Sequence, residues 1–148
     1  MKETAFQVDT PSGFTEVILA VIEKVNLITG HAAIVTLTGD LGAGKTTFTQ
    51  QLALHLGVTE TVVSPTFGIM KVYELDDNLQ FDQLVHIDAY RIEDMSEVGP
   101  LRFEELFKTS RTLICLEWPE KIAEIFPTEK VEVMIEIGMG ESRVVTVV

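Results

Sequence analysis

The sequence predicts an α/β fold, three layers built on a mixed, mostly parallel central sheet, and three observations carry that reading. Short apolar runs rich in branched residues alternate with stretches whose apolar residues recur at helical spacing. A glycine-rich loop joins the most apolar of these runs, residues 32–38, directly to one of the helical stretches. Near the C-terminal end, two alternating runs flank Gly-Met-Gly-Glu-Ser, which is the pattern of a hairpin.

Taken in order, residues 12–28 place Val17, Ile18, Val21, Ile22 and Val25 on one helical face, with Ser12 as a candidate cap and Gly30 as the stop. The almost unbroken run 32–38 suits a central strand covered on both faces. Residues 46–56 put Phe48, Leu52 and Leu56 four apart, and Gly57 supplies the left-handed conformation that ends a helix. Segments 67–75 and 84–88 flank the turn formers Asp76, Asp77 and Asn78, so a second hairpin is predicted there. Short helical stretches at 93–98 and 101–107 precede a strand at 113–117. Pro119 then opens a helix through 122–126. Runs 131–137 and 143–148 form the closing hairpin. With no internal repeat, biased segment or long linker, the 148 residues read as one domain, 1–148.

Composition narrows the partners. Hydrophobic residues are 46% of the chain, yet their runs fall far short of the roughly 18 to 20 residues a membrane span needs. The first residues contain acidic groups and no continuous apolar stretch, unlike a secretion signal, so a cytoplasmic location without membrane attachment is expected. Cys115, the single cysteine, sits in an apolar run and reads as a small buried hydrophobe. Eleven Lys plus Arg against 23 Asp plus Glu give a net charge of −12, a field that repels polyanions, so direct binding to DNA or RNA is disfavoured. A nucleotide needs only a local positive patch.

Such a patch is present. Gly39, Gly44, Lys45 and Thr46 fit G-x-x-x-x-G-K-[ST] position by position, after a predicted strand and before a predicted helix, which makes the fold P-loop NTPase-like. Glycines let the backbone turn tightly and bring its N–H groups onto phosphate, and the helix adds the positive end of its dipole. The candidate ATP-binding residues are therefore Gly39, Leu41, Gly42, Ala43, Gly44, Lys45, Thr46 and Thr47, the last mainly extending the helix. Lys45 is expected to bridge the β- and γ-phosphates, and the Thr46 hydroxyl to ligate Mg²⁺.

A phosphate cradle needs a carboxylate at the end of a neighbouring apolar strand to complete the metal site or polarise water. Asp88 ends one such strand and Glu117 another, and either fits. Ser64-Pro65-Thr66 follows the first helix after the loop, where nucleotide switches often keep a hydroxyl that senses the γ-phosphate. His31 and His55 look peripheral and His86 lacks a second histidine at ligand spacing, so no zinc site is expected and the histidines are assigned no chemistry.

Together GDLGAGKTT, SPTF, HIDAYR and EWPEK resemble, across nearly the whole chain, the TsaE family, also called YjeE. That family is the ATPase component of bacterial tRNA threonylcarbamoyladenosine biosynthesis. The resemblance implies ATP and Mg²⁺ as ligands, Lys45 and Thr46 serving phosphate and metal, and Glu117 reaching the metal. It further implies Asp88 for turnover, a switch containing Ser64 and Thr66, and Trp118 beside the site. It places Arg143 near the nucleotide and the turn at Phe14 and Thr15 over the base. It implies partners similar to TsaB and TsaD, the latter transferring a threonylcarbamoyl group to adenosine 37 of tRNA, so that tRNA is met only indirectly. Ala89 and Gly68 depart from the usual Leu of HxDLYR and the usual hydroxyl after SPTF.

Three rival functions fit the sequence less well. A small-molecule P-loop kinase is expected to carry an arginine-bearing lid, and Arg91, Arg102, Arg111 and Arg143 are dispersed. A GTPase would need a guanine-reading N-K-x-D segment, which the sequence lacks. The paired acids Asp88 and Glu117 argue against a module that holds ATP only as structural glue, the third alternative.

Overall fold

The computed structural model describes residues 3–40, 42–63, 69–76, 78, 80–90, 92, 93, 96, 99, 102–125 and 129–148. Seven strands form one sheet in the order β1-β7-β6-β2-β5-β4-β3. In chain order they are β1 Thr4–Val8, β2 Ala33–Thr38, β3 Met70–Glu74, β4 Gln83–Asp88, β5 Thr112–Glu117, β6 Val131–Ile137 and β7 Arg143–Val147. The central β2 pairs parallel with β5 and β6, and β5 pairs parallel with β4. Hairpins β3-β4 and β6-β7 and the edge pair β1-β7 are antiparallel, so only β3 and β7 run against the other strands. The sheet is mixed and mostly parallel, as predicted.

Helices α1 Phe14–Val25 and α2 Lys45–Leu56 cover one face. Val17, Ile18, Val21 and Val25 of α1 and Phe48 and Leu52 of α2 pack there against Val35, Leu113, Val133, Ile135 and Val145. Each such side chain, fully buried, contributes about 1.5–3 kcal/mol of transfer free energy. On the other face, Ile34, Val85, Ile87, Ile114 and Leu116 pack under Phe103 and Phe107 of the short α3 Phe103–Phe107 and under Ile122. Residues of β2 and β5 are thus buried from both sides, which is why these strands read as unbroken apolar runs.

Several elements differ from expectation. Helix α1 starts at Phe14 behind a 3₁₀ turn, Pro11–Gly13, so Ser12 lies in that turn and does not cap it. It ends at Val25, with Leu27 and Ile28 bonding back by three residues, and Gly30 (φ 87°) instead turns the chain toward β2. The helix predicted over 122–126 is a 3₁₀ segment, Pro119–Ile125, broken at Ile122, whose side chain is fully buried in the second core. Strand β1 was not anticipated; its five residues alternate in burial along the sheet edge. The predicted stretch at 93–98 and residues 67 and 68 of the first hairpin arm fall wholly or partly outside the described residues, and α3 begins two residues later than predicted, after Arg102 (φ 55°). Among the described residues, no helix is long and apolar enough to cross a membrane.

Candidate functional site

The loop after β2 has its shape imposed by packing. At Gly39 a Cβ would lie 2.4 Å from the Ile135 carbonyl oxygen on β6, so backbone fills the space that any side chain would need. Gly42 (φ 80°) and Gly44 (φ 116°) take left-handed conformations that other residues avoid, and the Ala43 N–H closes the turn onto the Asp40 carbonyl at 3.0 Å. Gly44 starts α2 without a capping side chain. The first amides of a helix have no carbonyl before them to bond. Here Phe48 N–H reaches Gly44 O at 2.9 Å, and among the described residues no backbone carbonyl accepts from Lys45, Thr46 or Thr47. Three amides without a carbonyl partner among the described residues, at the positive end of a helix dipole, suit an anion.

Lys45 is buried at the mouth of this cradle, its Nζ donating to Gly39 O at 2.6 Å and Asp40 O at 3.0 Å. The ammonium stands 4.4 Å from the centre of the Trp118 ring, within cation–π range. Burial pulls its pKa below the ordinary lysine range, and the carboxylates of Glu117, Asp88, Glu120 and Asp40, in that order, push it back up. Thr49, one turn further along α2, donates to Lys45 O at 3.1 Å and sits 3.4 Å from Cys115 Sγ, so this face of α2 is held against β5. Thr46 is half-buried at the second position of α2.

The two acids lie side by side, because Asp88 and Glu117 are register partners at the ends of β4 and β5. Strand β5 adjoins β2 and β4 is one strand further out, so Glu117 is the acid on the strand next to the loop. Glu117 is buried, and His86 Nε2 donates to its Oε2 at 2.5 Å. Asp88 is half-buried and its Oδ1 accepts from Tyr90 N–H at 3.0 Å. Directly after Glu117 the chain takes a left-handed turn at Trp118 (φ 59°), whose ring meets Tyr90 at 5.1 Å. No group of three or more His, Cys, Asp or Glu side chains suited to a metal ion is found among the described residues. Thr46 offers a hydroxyl and Glu117 a carboxylate, the oxygen donors that a hard cation prefers.

Beyond the loop opens a cleft of about 200 Å³, lined by Val8, Asp9, Thr10, Pro11, Phe14, Gly42, Ala43, Gly44, Thr47, Glu141 and Arg143. Phe14 is buried edge-on against Phe48, their ring centres 5.8 Å apart. Arg143 grips the loop itself, Nε donating to Ala43 O at 2.9 Å and Nη2 to Gly42 O at 3.3 Å.

The fold therefore gathers Gly39, Gly42, Ala43, Gly44, Lys45, Thr46, Thr47, Asp88, Glu117, Trp118, Phe14 and Arg143 at one end of the sheet. Thr15 differs: it is exposed, its hydroxyl donates to Ser12 O at 2.8 Å, and it does not line the cleft. Leu41, Ser64 and Thr66 lie outside the described residues. Sequence reasoning assigns His86 no chemistry and does not single out Tyr90. A histidine inside an apolar strand, two residues before an acid and so on the same face, was the available signal for the first.

A family model described as threonylcarbamoyl adenosine biosynthesis protein TsaE matches residues 14–145. The protein of Bacillus subtilis named tRNA threonylcarbamoyladenosine biosynthesis protein TsaE is 44% identical over 114 residues, 76% of this chain and 67% of that one. Its namesake in Borreliella burgdorferi is 35% identical over 112 residues, 76% of this chain and 78% of that one. The crystal structure of Bacillus subtilis YdiB superposes with a TM-score of 0.69 at 29% identity, covering 99% of this chain and 84% of that one. The motifs, the sheet order and these matches agree: the chain belongs to the TsaE family of threonylcarbamoyl adenosine biosynthesis proteins.

Proposed function

We propose that this chain is a P-loop ATPase that binds ATP with Mg²⁺ in the cradle between β2 and α2 and hydrolyses it. It would do so as an accessory subunit in threonylcarbamoyl modification of adenosine 37 of tRNA. The observation that carries the reading is the set of three helix amides, without a carbonyl partner among the described residues, beside a buried lysine and two adjacent strand-end carboxylates. The amides of Lys45, Thr46 and Thr47 would receive phosphate, with the Lys45 ammonium exchanging the Gly39 and Asp40 carbonyls for phosphate oxygens. Thr46 and Glu117 would hold the metal, which when bound neutralises charge on the phosphates. Asp88, next to Glu117, would orient or deprotonate the attacking water. The cleft lined by Phe14 suits the nucleoside, with Arg143 acting through the loop it grips.

The partners are those the family resemblance implies, a TsaD-like transferase and a TsaB-like subunit in the cytoplasm, with tRNA met only through them. A net charge of −12 supports a protein-facing role over direct tRNA contact. A small-molecule kinase is favoured less, since among the described arginines Arg102 is paired with Glu105, Arg111 with Asp82, and Arg143 with the loop, while Arg91 lies outside the described residues. Calorimetry with Mg-ATP, Mg-ADP and Mg-GTP tests the reading. Adenine nucleotides should bind, Lys45→Ala should abolish binding, Asp88→Ala should mainly lower turnover, and Glu117→Ala should lower turnover and also raise the Mg²⁺ concentration that binding requires. Absence of heat with every nucleotide would sink it.

A further inference from the structure

We infer that His86 is a positioning residue that orients the Glu117 carboxylate toward the metal, an inference that rests on the proposed Mg-nucleotide site. The imidazole is fully buried and its only hydrogen bond among the described residues goes to Glu117, Nε2 to Oε2 at 2.5 Å. Its other nitrogen, Nδ1, is buried and has no partner among the described residues. An apolar side chain would fill this place in the core without that unsatisfied atom, so packing alone gives no reason for a histidine here. What the ring adds is one directed N–H on one carboxylate oxygen.

Register explains how the two meet. His86 is the cross-strand partner of Cys115, and Glu117 stands two residues further along β5 on the same face, so the contact is a diagonal one between parallel strands. With Oε2 held, rotation of the carboxylate about its final torsion is stopped and the second oxygen has a fixed direction. Glu117 lies in the next strand to the loop, and it is the foremost of the carboxylates acting on Lys45. A ligand fixed before the metal arrives loses no rotational freedom on binding. Outer hydrogen bonds of this kind commonly raise metal affinity.

Three variants test the assignment. In Gln the amide nitrogen lies the same number of bonds from Cβ as Nε2, so His86→Gln keeps the donor; His86→Asn keeps an amide but falls short of Glu117, and His86→Leu removes the donor. Nucleotide binding is measured by calorimetry across a Mg²⁺ titration and again in excess chelator. The Mg²⁺ concentration for half-maximal enhancement should rise about 10- to 100-fold in His86→Leu and His86→Asn. Affinity in chelator should stay at the wild-type level, and His86→Gln should recover most of the Mg²⁺ dependence.

Should His86→Leu fail to fold, the contrast between Gln and Asn carries the test alone. Equal Mg²⁺ dependence in Gln and Asn variants, or equal losses with and without Mg²⁺, overturns the positioning role while leaving the nucleotide site standing. A wild-type chain that binds no nucleotide overturns both.

Discussion

Gly39 and Gly42 sit in the same loop, yet the structure constrains them in different ways. A Cβ on Gly42 meets nothing within 4 Å, so Gly42→Ala should cost only the left-handed conformation, about 1–2 kcal/mol. A Cβ on Gly39 would come within 2.4 Å of a backbone oxygen of β6, which cannot swing aside as a flexible side chain could. Gly39→Ala should therefore cost the upper part of the ~1–3 kcal/mol usual for over-packing, or more, and displace the loop from β6. Urea unfolding of the two variants measures this, and equal midpoints would show that loop and β6 do not touch as described. Legibility at this scale follows sequence distance. Gly39, Lys45 and Thr46 were readable because the cradle is built within one short segment, whose spacing is its geometry. The bond from His86 to Glu117 was not, because it joins residues 31 apart through a strand register that no local pattern specifies.

Among the elements, α2 and the hairpins announced themselves through periodicity and turn residues, whereas β1 did not. Thr4–Val8 has only one apolar side, and three of its five residues are polar or small, so alternation is faint until β7 is known to lie beside it. The 3₁₀ character of Pro119–Ile125 was hidden for a related reason: burial of Ile122 in the second core overrides the helix that Pro119 would start. Strand β1 nevertheless has two consequences. It covers the β7 edge along five residue pairs and buries Val8, and its end leads into Asp9, Thr10 and Pro11 on the wall of the cleft. Removing residues through Val8 should lose the ~1.5–3 kcal/mol of one buried valine together with the edge pairing. It should also open β7 to pairing between copies. A lower melting temperature and a larger sedimentation coefficient than the full chain are expected, and a truncated chain that melts and sediments unchanged would remove β1 from the stable fold.

For the molecule as a whole, the opposing electrostatic effects differ in size. The described ion pairs Arg102 with Glu105 and Arg111 with Asp82 are exposed, and pairs of this kind are worth about 0–1 kcal/mol each. Against them stands the mutual repulsion of a chain with net charge −12, summed over the surface and opposed to compactness. Raising ionic strength from about 0.01 M to about 0.15 M shortens the screening length from roughly 30 Å to roughly 8 Å, which is short relative to the spacing of most surface charges. Repulsion between distant carboxylates is then lost, while the short contacts survive in part, so added NaCl should stabilise the fold. The melting temperature should climb across that range and then level off, and a steady fall would mean that ion pairs outweigh repulsion. The same field bears on partners. A net charge of −12 opposes the approach of a polyanion such as tRNA, whereas a basic protein face would gain most at low salt. Salt should therefore raise the stability of the isolated chain and weaken its grip on such a partner, two opposite slopes measurable on one preparation.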